Sequence, residues 1–318
     1  MSVTEAPGSS RPPLICVTGP TSSGKSRLAL AVAEKLPAEI LCVDSMQVYR
    51  GFNIGTAKPS EEDQRLIPHH GIDLVDPGEQ FDAGAFLAYA REVLAQRRSQ
   101  GRHVLAVGGT GLYLRALLSG LAPSAPADQQ LREELRLHER QEPGSMHRRL
   151  GEVDSQSAAT LHPHDLVRVE RALEVFLLTG QKQSVWLAEH GFAKSEFRPY
   201  VFAIRWPREQ LRRRIAERVG GMLEAGWDLE VRSLLDAGIT EDAPAMRALG
   251  YRELSRMLRG EVSRDEAQSR ITVLCQQFAK RQTTWFNRVP SIHWLDPGED
   301  MTERVIERSR SFLATGRA

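Results

Sequence analysis

Cysteine is scarce in this 318-residue chain. The three present, Cys16, Cys42 and Cys275, lie far apart and outside any C-x-x-C. Neither a disulfide framework nor a thiolate metal site is indicated, which fits a reducing cytoplasm. No run approaches the roughly 18 uninterrupted apolar residues of a membrane span. Met1 to Pro13 also lacks the basic-then-apolar order of a signal peptide, so export and membrane insertion are not expected. An excess of one charge is missing too, with 42 Lys plus Arg against 41 Asp plus Glu. Any polyanion would therefore be met by local basic stripes rather than by a basic domain. Five tryptophans are expected as core anchors more than as base-stacking platforms. The remaining balance, 41% hydrophobic and 26% charged, is that of a globular chain with room for about two domains.

Apolar patterning supplies the organisation. Leu14 to Thr18 is a short β-compatible run, Thr21 to Lys35 reads as helix, and Glu39 to Val43 is a second strand ending at Asp44. Asp82 to Arg98 carries Phe86, Tyr89, Ala90 and Val93 on one helical face, and His103 to Val107 is a third strand closing on Gly108-Gly109. Such alternation predicts a parallel sheet with helices on its faces. From Pro123 the strand signals fade, and the clearest helix there is capped by Asp165, runs from Leu166 to Leu177 and stops at Gly180. Strands return at Tyr200 to Ile204 and Ser291 to Leu295. The chain thus divides into a frayed tail over 1–13, a core over 14–122 and 199–318, and a helical insertion over 123–198. A long helix opens with the capping-box spacing Ser263-Arg264-Asp265-Glu266 and runs to about Asn287. Its apolar face is Ala267, Ile271, Leu274, Phe278 and Trp285. A second row, Arg270, Gln277, Arg281, Thr284 and Arg288, is either a solvated face or a polyanion stripe.

Chemistry enters with Gly19-Pro20-Thr21-Ser22-Ser23-Gly24-Lys25-Ser26, a G-x-x-x-x-G-K-[ST] phosphate loop between strand and helix. Its glycines let backbone N–H groups turn inward, the helix N-terminus adds positive potential, Lys25 supplies a charge, and the Ser26 hydroxyl suits Mg²⁺. The fold class is accordingly α/β, a P-loop NTPase-like parallel sheet flanked by helices, with an inserted all-helical domain. A nucleotide hydrolase would add an acid at the end of a nearby strand, yet Val104 to Val107 runs into Gly108-Gly109-Thr110 without one. The strand-terminal acid is Asp44, at the carboxyl edge where α/β sites form, either a turn former and magnesium-water ligand or a general base.

Further motifs follow in order: Asp44-Ser45-Met46-Gln47-Val48-Tyr49, Asn53 to Pro59, His69-His70, Gly108 to Tyr113, Arg168 with Arg171 to Glu174, Leu249-Gly250-Tyr251-Arg252, and Lys280 to Trp285. With the phosphate loop, this series resembles the tRNA dimethylallyltransferases over residues 14 to 296. The resemblance implies transfer of a dimethylallyl group from dimethylallyl diphosphate to N6 of the adenine 3′-adjacent to the anticodon. The loop, Gly19 to Ser26, would then hold diphosphate, with Mg²⁺ at Ser26. Thr21 and Lys25 would hold the leaving diphosphate, Arg218 would be a further catalytic substrate contact, and Asp44 would accept the N6 proton. The same resemblance implies tRNA contacts at Asp44, Ser45, Met46, Gln47, Thr110, Arg132, Arg168, Arg171, Arg247, Gly250, Tyr251, Arg252, Lys280, Arg281 and Gln282. The adenine must be flipped out of its stack, and the insertion would close over the stem-loop. The expected partners are the tRNA anticodon stem-loop and dimethylallyl diphosphate, with no membrane; the expected state is a cytoplasmic monomer. Family members from eukaryotes can add a C-terminal zinc finger, for which the cysteines are lacking here. Three alternatives stand: a small-molecule kinase using the same loop, a prenyltransferase of free adenine nucleotides, and a non-catalytic RNA-binding module. His69-His70 and His162-Pro163-His164 carry no metal-ligand spacing and are expected to be structural.

Overall fold

The computed structural model describes residues 11–122, 125–191, 195–289, 291–298 and 300–315. Two compact units result, Met1–Leu118 with Glu196–Ala318, and Ser119–Ser195. The sequence reading puts the breaks at 123 and 199, a few residues later than these. Glu196 already belongs to the first unit, where it pairs with Arg91. Pro123 lies outside the described residues.

The first unit begins with β1 (Pro13–Thr18), α1 (Lys25–Lys35), β2 (Ala38–Val43), α2 (Glu61–Leu66), β3 (His69–His70), α3 (Ala83–Ser99), β4 (His103–Gly108) and α4 (Gly111–Ser119). All six strands of its sheet run parallel, in the order β3-β2-β4-β1-β5-β6, where β5 is Arg198–Ile204 and β6 is Ile292–Leu295. Covered on both faces, such a sheet needs continuous apolar strands. β1 meets that demand, with Leu14, Ile15, Cys16 and Val17 all buried. Its position beside both β4 and β5 puts the following loop at the middle of the sheet's carboxyl edge, where α/β folds place ligands.

Two boundaries differ from the sequence reading. Pro13 pairs with Arg198 inside the sheet, and the Arg198 N–H donates to Pro12 O at 2.9 Å, so the sheet begins within the expected tail. Residues 1–10 of that tail lie outside the described residues. The first helix starts at Lys25 instead of Thr21, because Ser22 and Gly24 hold positive φ angles of 62° and 93°, which no helix accommodates.

Below the sheet, Leu28 and Val32 of α1 join Ile40, Leu105, Phe202 and Phe312 in one core. A second core lies beyond the sheet edge, built by α10 (Arg208–Glu224), α11 (Trp227–Asp236), α12 (Tyr251–Leu258) and α13 (Arg264–Phe286). Val48, Phe52, Trp227, Tyr251 and Ile271 are its buried anchors. The capping box of α13 forms: Glu266 N–H donates to Ser263 Oγ at 3.2 Å, and Ser263 N–H donates to Glu266 Oε2 at 2.8 Å. Its buried face is Ala267, Ile271, Ala279, Gln282 and Phe286, while Leu274, Phe278 and Trp285 are half-buried. The row Arg270, Gln277, Arg281, Thr284 and Arg288 is exposed. α14 (Met301–Thr315) completes the unit. Among the described residues no helix is long and apolar enough to cross a membrane.

The second unit consists of α5 (Gln129–Gln141), α6 (Ser145–Val153), α7 (Ser155–Thr160), α8 (Leu166–Thr179) and α9 (Gln183–His190). Leu135, Met146, Leu150, Val169 and Leu173 make its core. Asp165 precedes α8 as expected but accepts no capping bond, pairing with Arg168 instead. Buried carboxylates organise the rest. Asp154 accepts from the N–H and hydroxyl of both Ser157 and Ser184, at 2.6–3.1 Å. Glu174 accepts from Arg132 at 2.8 Å, from Asp128 N–H at 2.8 Å, and from Arg171. Burial pushes both carboxyls up, but these donors outweigh it and hold each below the ordinary range. A depressed acid contributes stability above its unfolded value near 4, and loses it as pH falls through the lower folded value. Asp154→Asn and Glu174→Gln should therefore lower the melting temperature at pH 7 by several degrees and by less as the pH falls below about 4. Equal losses in both pH ranges would contradict this linkage.

Candidate active site

The phosphate loop is held from outside by three elements. Arg218 of α10 donates from Nη1 to Thr21 Oγ1 at 2.7 Å, and Arg214, one turn earlier, donates from Nε to Ser22 O at 3.0 Å. Trp206, just before α10, donates from Nε1 to Ser23 O at 2.9 Å and carries the Arg214 guanidinium 4.3 Å above its ring. From α13, Gln282 Oε1 accepts the Thr21 N–H at 2.7 Å. The loop thereby keeps its left-handed turn at Ser22, a conformation costly for a non-glycine residue unless neighbours impose it.

Burial, followed by the nearby Arg218 charge, pulls the Lys25 ammonium down to about 8, with Asp44 opposing. Burial also lowers Arg218, which nevertheless stays charged as arginines do. Two partly desolvated cations, Lys25 of the loop and Arg218 of α10 beside it, favour a multiply charged anion.

Asp44 stands at the end of β2. Its Oδ1 accepts the N–H groups of Met46 at 2.9 Å and Gln47 at 3.4 Å, a local turn that fixes the carboxylate. Among the described residues Oδ2 accepts no hydrogen bond, which leaves one oxygen for chemistry. Thr110, just beyond β4, holds the next residue through Ser45 N–H donating to its Oγ1 at 3.0 Å. Thr21, Lys25, Asp44, Thr110, Arg218, Arg247 and Arg281 all line one cavity of about 770 Å³. Its walls also include Met46, Val219, Met222 and Phe278, so an anion cradle and apolar surface share one space.

Magnesium fits the donors present. Ser26 is exposed at the cavity wall with Asp44, both hard oxygen ligands. Among the described residues no cluster of three or more His, Cys, Asp and Glu side chains occurs.

Several residues expected to contact RNA are engaged within the protein, although Gln47 and Gln282 also line the cavity. Gln282 is buried, with Nε2 donating to Gly109 O at 2.9 Å and Oε1 on the phosphate loop, so its amide faces the core. Tyr251 is buried under the loop 53–55, its hydroxyl donating to Glu230 Oε1 at 2.7 Å. Gly250 has φ 97°, and a Cβ there would stand 2.2 Å from the Trp227 ring; it serves packing. The Gln47 amide nitrogen donates to Thr56 O and Ala57 O at 3.1 and 3.0 Å, pinning a loop. Within the helical unit, Arg132 and Arg171 pair with Glu174, where an unpaired buried carboxylate would be costly. Arg168, Arg252 and Lys280 are exposed, and neither Arg252 nor Lys280 lines the cavity. His70 Nε2 meets Glu39 Oε2 at 2.6 Å and His69 Nδ1 meets Ile67 O at 2.7 Å, while His69 also lines the cavity.

Two residues escape sequence reasoning. Arg214 has a readable signal, since it lies four before Arg218 on one helical face. Glu230 has none. It receives the N–H groups of Asn53 and Ile54 at 2.9 and 2.7 Å from a segment far away in sequence.

Comparison with known proteins agrees with this geometry. The family model for IPP transferase matches residues 47–289. A tRNA dimethylallyltransferase of Geobacter metallireducens is 48% identical over 291 residues, 90% of this chain and 93% of that protein. One from Syntrophobacter fumaroxidans is 43% identical over 90% of this chain and 84% of its own length. Among solved structures, the full-length tRNA isopentenylpyrophosphate transferase of Bacillus halodurans superposes with a TM-score of 0.71 at 32% identity. It covers 96% of this chain and 97% of that one. A eukaryotic dimethylallyltransferase acting on tRNA superposes with a TM-score of 0.84 at 26% identity, over 96% of this chain and 80% of its own. Phosphate loop, strand-end carboxylate and overall likeness converge: the chain belongs to the IPP transferase family.

Proposed function

We propose that the enzyme transfers a dimethylallyl group from dimethylallyl diphosphate to N6 of the adenine 3′-adjacent to the anticodon of tRNA, releasing diphosphate. The observation that carries this reading is the single cavity shared by the phosphate loop, the Asp44 carboxylate and apolar side chains. Such a space suits a short hydrocarbon joined to a diphosphate, next to a base for the acceptor. As the allylic C–O bond breaks, Lys25, Arg218 and the Thr21 hydroxyl stabilise the charge gathering on diphosphate. N6 attacks the allylic carbon, and its proton passes to Asp44. Magnesium, when bound at Ser26, would supply further charge neutralisation on the leaving group. No hydrolytic acid is needed, since no water is activated.

An adenine stacked in a loop cannot reach this cavity, so it enters flipped. Arg247 and Arg281 at the cavity wall, with Lys280 and Arg252 nearby in sequence, would take RNA phosphates, and Arg168 would add a contact from the helical unit. The absence of paired cysteines supports a cytoplasmic setting, and a monomer suffices because one chain supplies the whole cavity.

The decisive experiment incubates the protein with a synthetic anticodon stem-loop, Mg²⁺ and dimethylallyl diphosphate, with ATP as a parallel donor, followed by mass spectrometry. A gain of one C5H8 unit on the adenine 3′ to the anticodon is expected. Unmodified RNA with ATP turnover would instead establish a kinase. For the basic row, Arg281→Ala should weaken stem-loop binding and reduce its salt slope by about one, leaving diphosphate affinity unchanged. An unaltered slope would make that helix face a solvated surface only.

A further inference from the structure

Gln282 is the one side chain of α13 that bonds to both halves of the catalytic edge. It is 7% exposed, although Lys280 and Arg281 just before it and Thr284 just after it face solvent. Its Oε1 accepts the Thr21 N–H at 2.7 Å and its Nε2 donates to Gly109 O at 2.9 Å, so one amide spans from the loop after β1 to the turn after β4. Three residues on, Trp285 packs so closely on Gly111 that a Cβ there would lie 2.8 Å from the indole. At Gly109 a Cβ would lie 2.4 Å from Gln282 Nε2, so the turn is fitted to this amide.

Thr21 is consequently held from two sides. Its N–H, which a phosphate loop would ordinarily turn toward its anion, is committed to α13, and its hydroxyl oxygen accepts from Arg218. An oxygen that accepts from Arg218 keeps its own proton free for another acceptor. Where that hydroxyl sits depends on how the Thr21 peptide is held, and Gln282 bonds that peptide's N–H. Only a planar amide both donates and accepts at this span, since Asn is one methylene shorter and Glu lacks the donor.

We propose that Gln282 is a positioning residue that ties the basic, solvent-facing helix α13 to the phosphate loop and aligns Thr21 against the leaving diphosphate. The proposal rests on the prenyl-transfer reading above. It removes Gln282 from the RNA-contact set and gives it an effect on the chemical step.

Gln282→Met keeps the volume and removes both bonds. With both substrates saturating, its single-turnover rate should fall at least tenfold, while the KM for dimethylallyl diphosphate and the Kd for the stem-loop stay within about threefold of wild type. Gly109→Ala pushes the amide from the opposite side and should lower the rate in the same way. Because both act on one link, the double variant should be little worse than the poorer single. Should Gln282→Met fail to fold, Gly109→Ala carries the test. An unchanged rate, a loss confined to RNA affinity, or rate losses that simply multiply and follow the folded fraction would each overturn the proposal. A wild-type protein that transfers nothing would instead defeat the prenyl-transfer reading, so the two failures are distinguishable.

Discussion

Asp44→Asn should lower turnover by about 10²–10⁴, the range for loss of a general base, with stem-loop affinity and melting temperature nearly preserved. The substitution separates two roles of one side chain. Asn retains an oxygen at the Oδ1 position, where Met46 and Gln47 donate, so the turn after β2 survives. It replaces the unbonded Oδ2 with an amide group that cannot accept a proton. Asp44→Ala removes both and should be no slower than Asn if the base is what matters. Rapid-quench single-turnover assays of all three proteins make the comparison. A rate near wild type in Asn with a large loss in Ala would reduce Asp44 to a turn former.

Lys25→Met has an effect of comparable size and an unusual sign in stability. Turnover should fall by about 10²–10³, since a desolvated charge at the leaving group is lost. Added diphosphate should no longer raise the melting temperature, as it does for any ligand that binds only the folded state. Without ligand, however, the variant should be more stable than wild type at pH 7. Burial and Arg218 pull Lys25 down to about 8, against 10.5 for the free side chain. The unfolded chain thus binds more protons than the folded one between those values, and wild-type stability rises with pH across that window. Below pH 8 the half-buried ammonium costs roughly 2 kcal/mol, from about 1.4 kcal/mol per pKa unit discounted for its solvent exposure, and Met relieves it. The gap between the two proteins should close as pH approaches 10.5. Denaturant titrations of both at pH 7 and pH 10 measure it, and a constant gap would mean that Lys25 carries no such penalty.

Much of the catalytic edge is readable in local sequence. The phosphate loop and Asp44 lie within 26 residues of each other, each at the end of a strand whose unbroken apolar run announces itself. Helix α13 is likewise announced by its capping box, yet its buried face is misjudged where a polar residue points inward. Gln282 follows two cations in a basic stretch, and only the approach of Gly109 and Thr21 reveals that its amide is consumed. Arg132, Arg171 and Tyr251 follow the same rule. Each reads as an exposed recognition residue until a carboxylate claims it: Glu174, three residues along the same helix, for Arg171, and the more remote Glu174 and Glu230 for Arg132 and Tyr251.

What the sequence by itself determined is therefore the parallel sheet, the anion cradle, the strand-end carboxylate and the family. These rest on short spacings and on periodicity, which the chain carries locally. The tertiary structure alone decided the partners. It settled which arginines are spent on buried glutamates and which face the cavity, that Arg214 and Trp206 hold the loop's outer carbonyls, and that Gln282 joins β1's loop to β4's turn. Residue 282 is 261 positions from Thr21 and 173 from Gly109. A bond over such separations depends on where the sheet order and helix packing deliver each side chain, and no local pattern encodes that meeting.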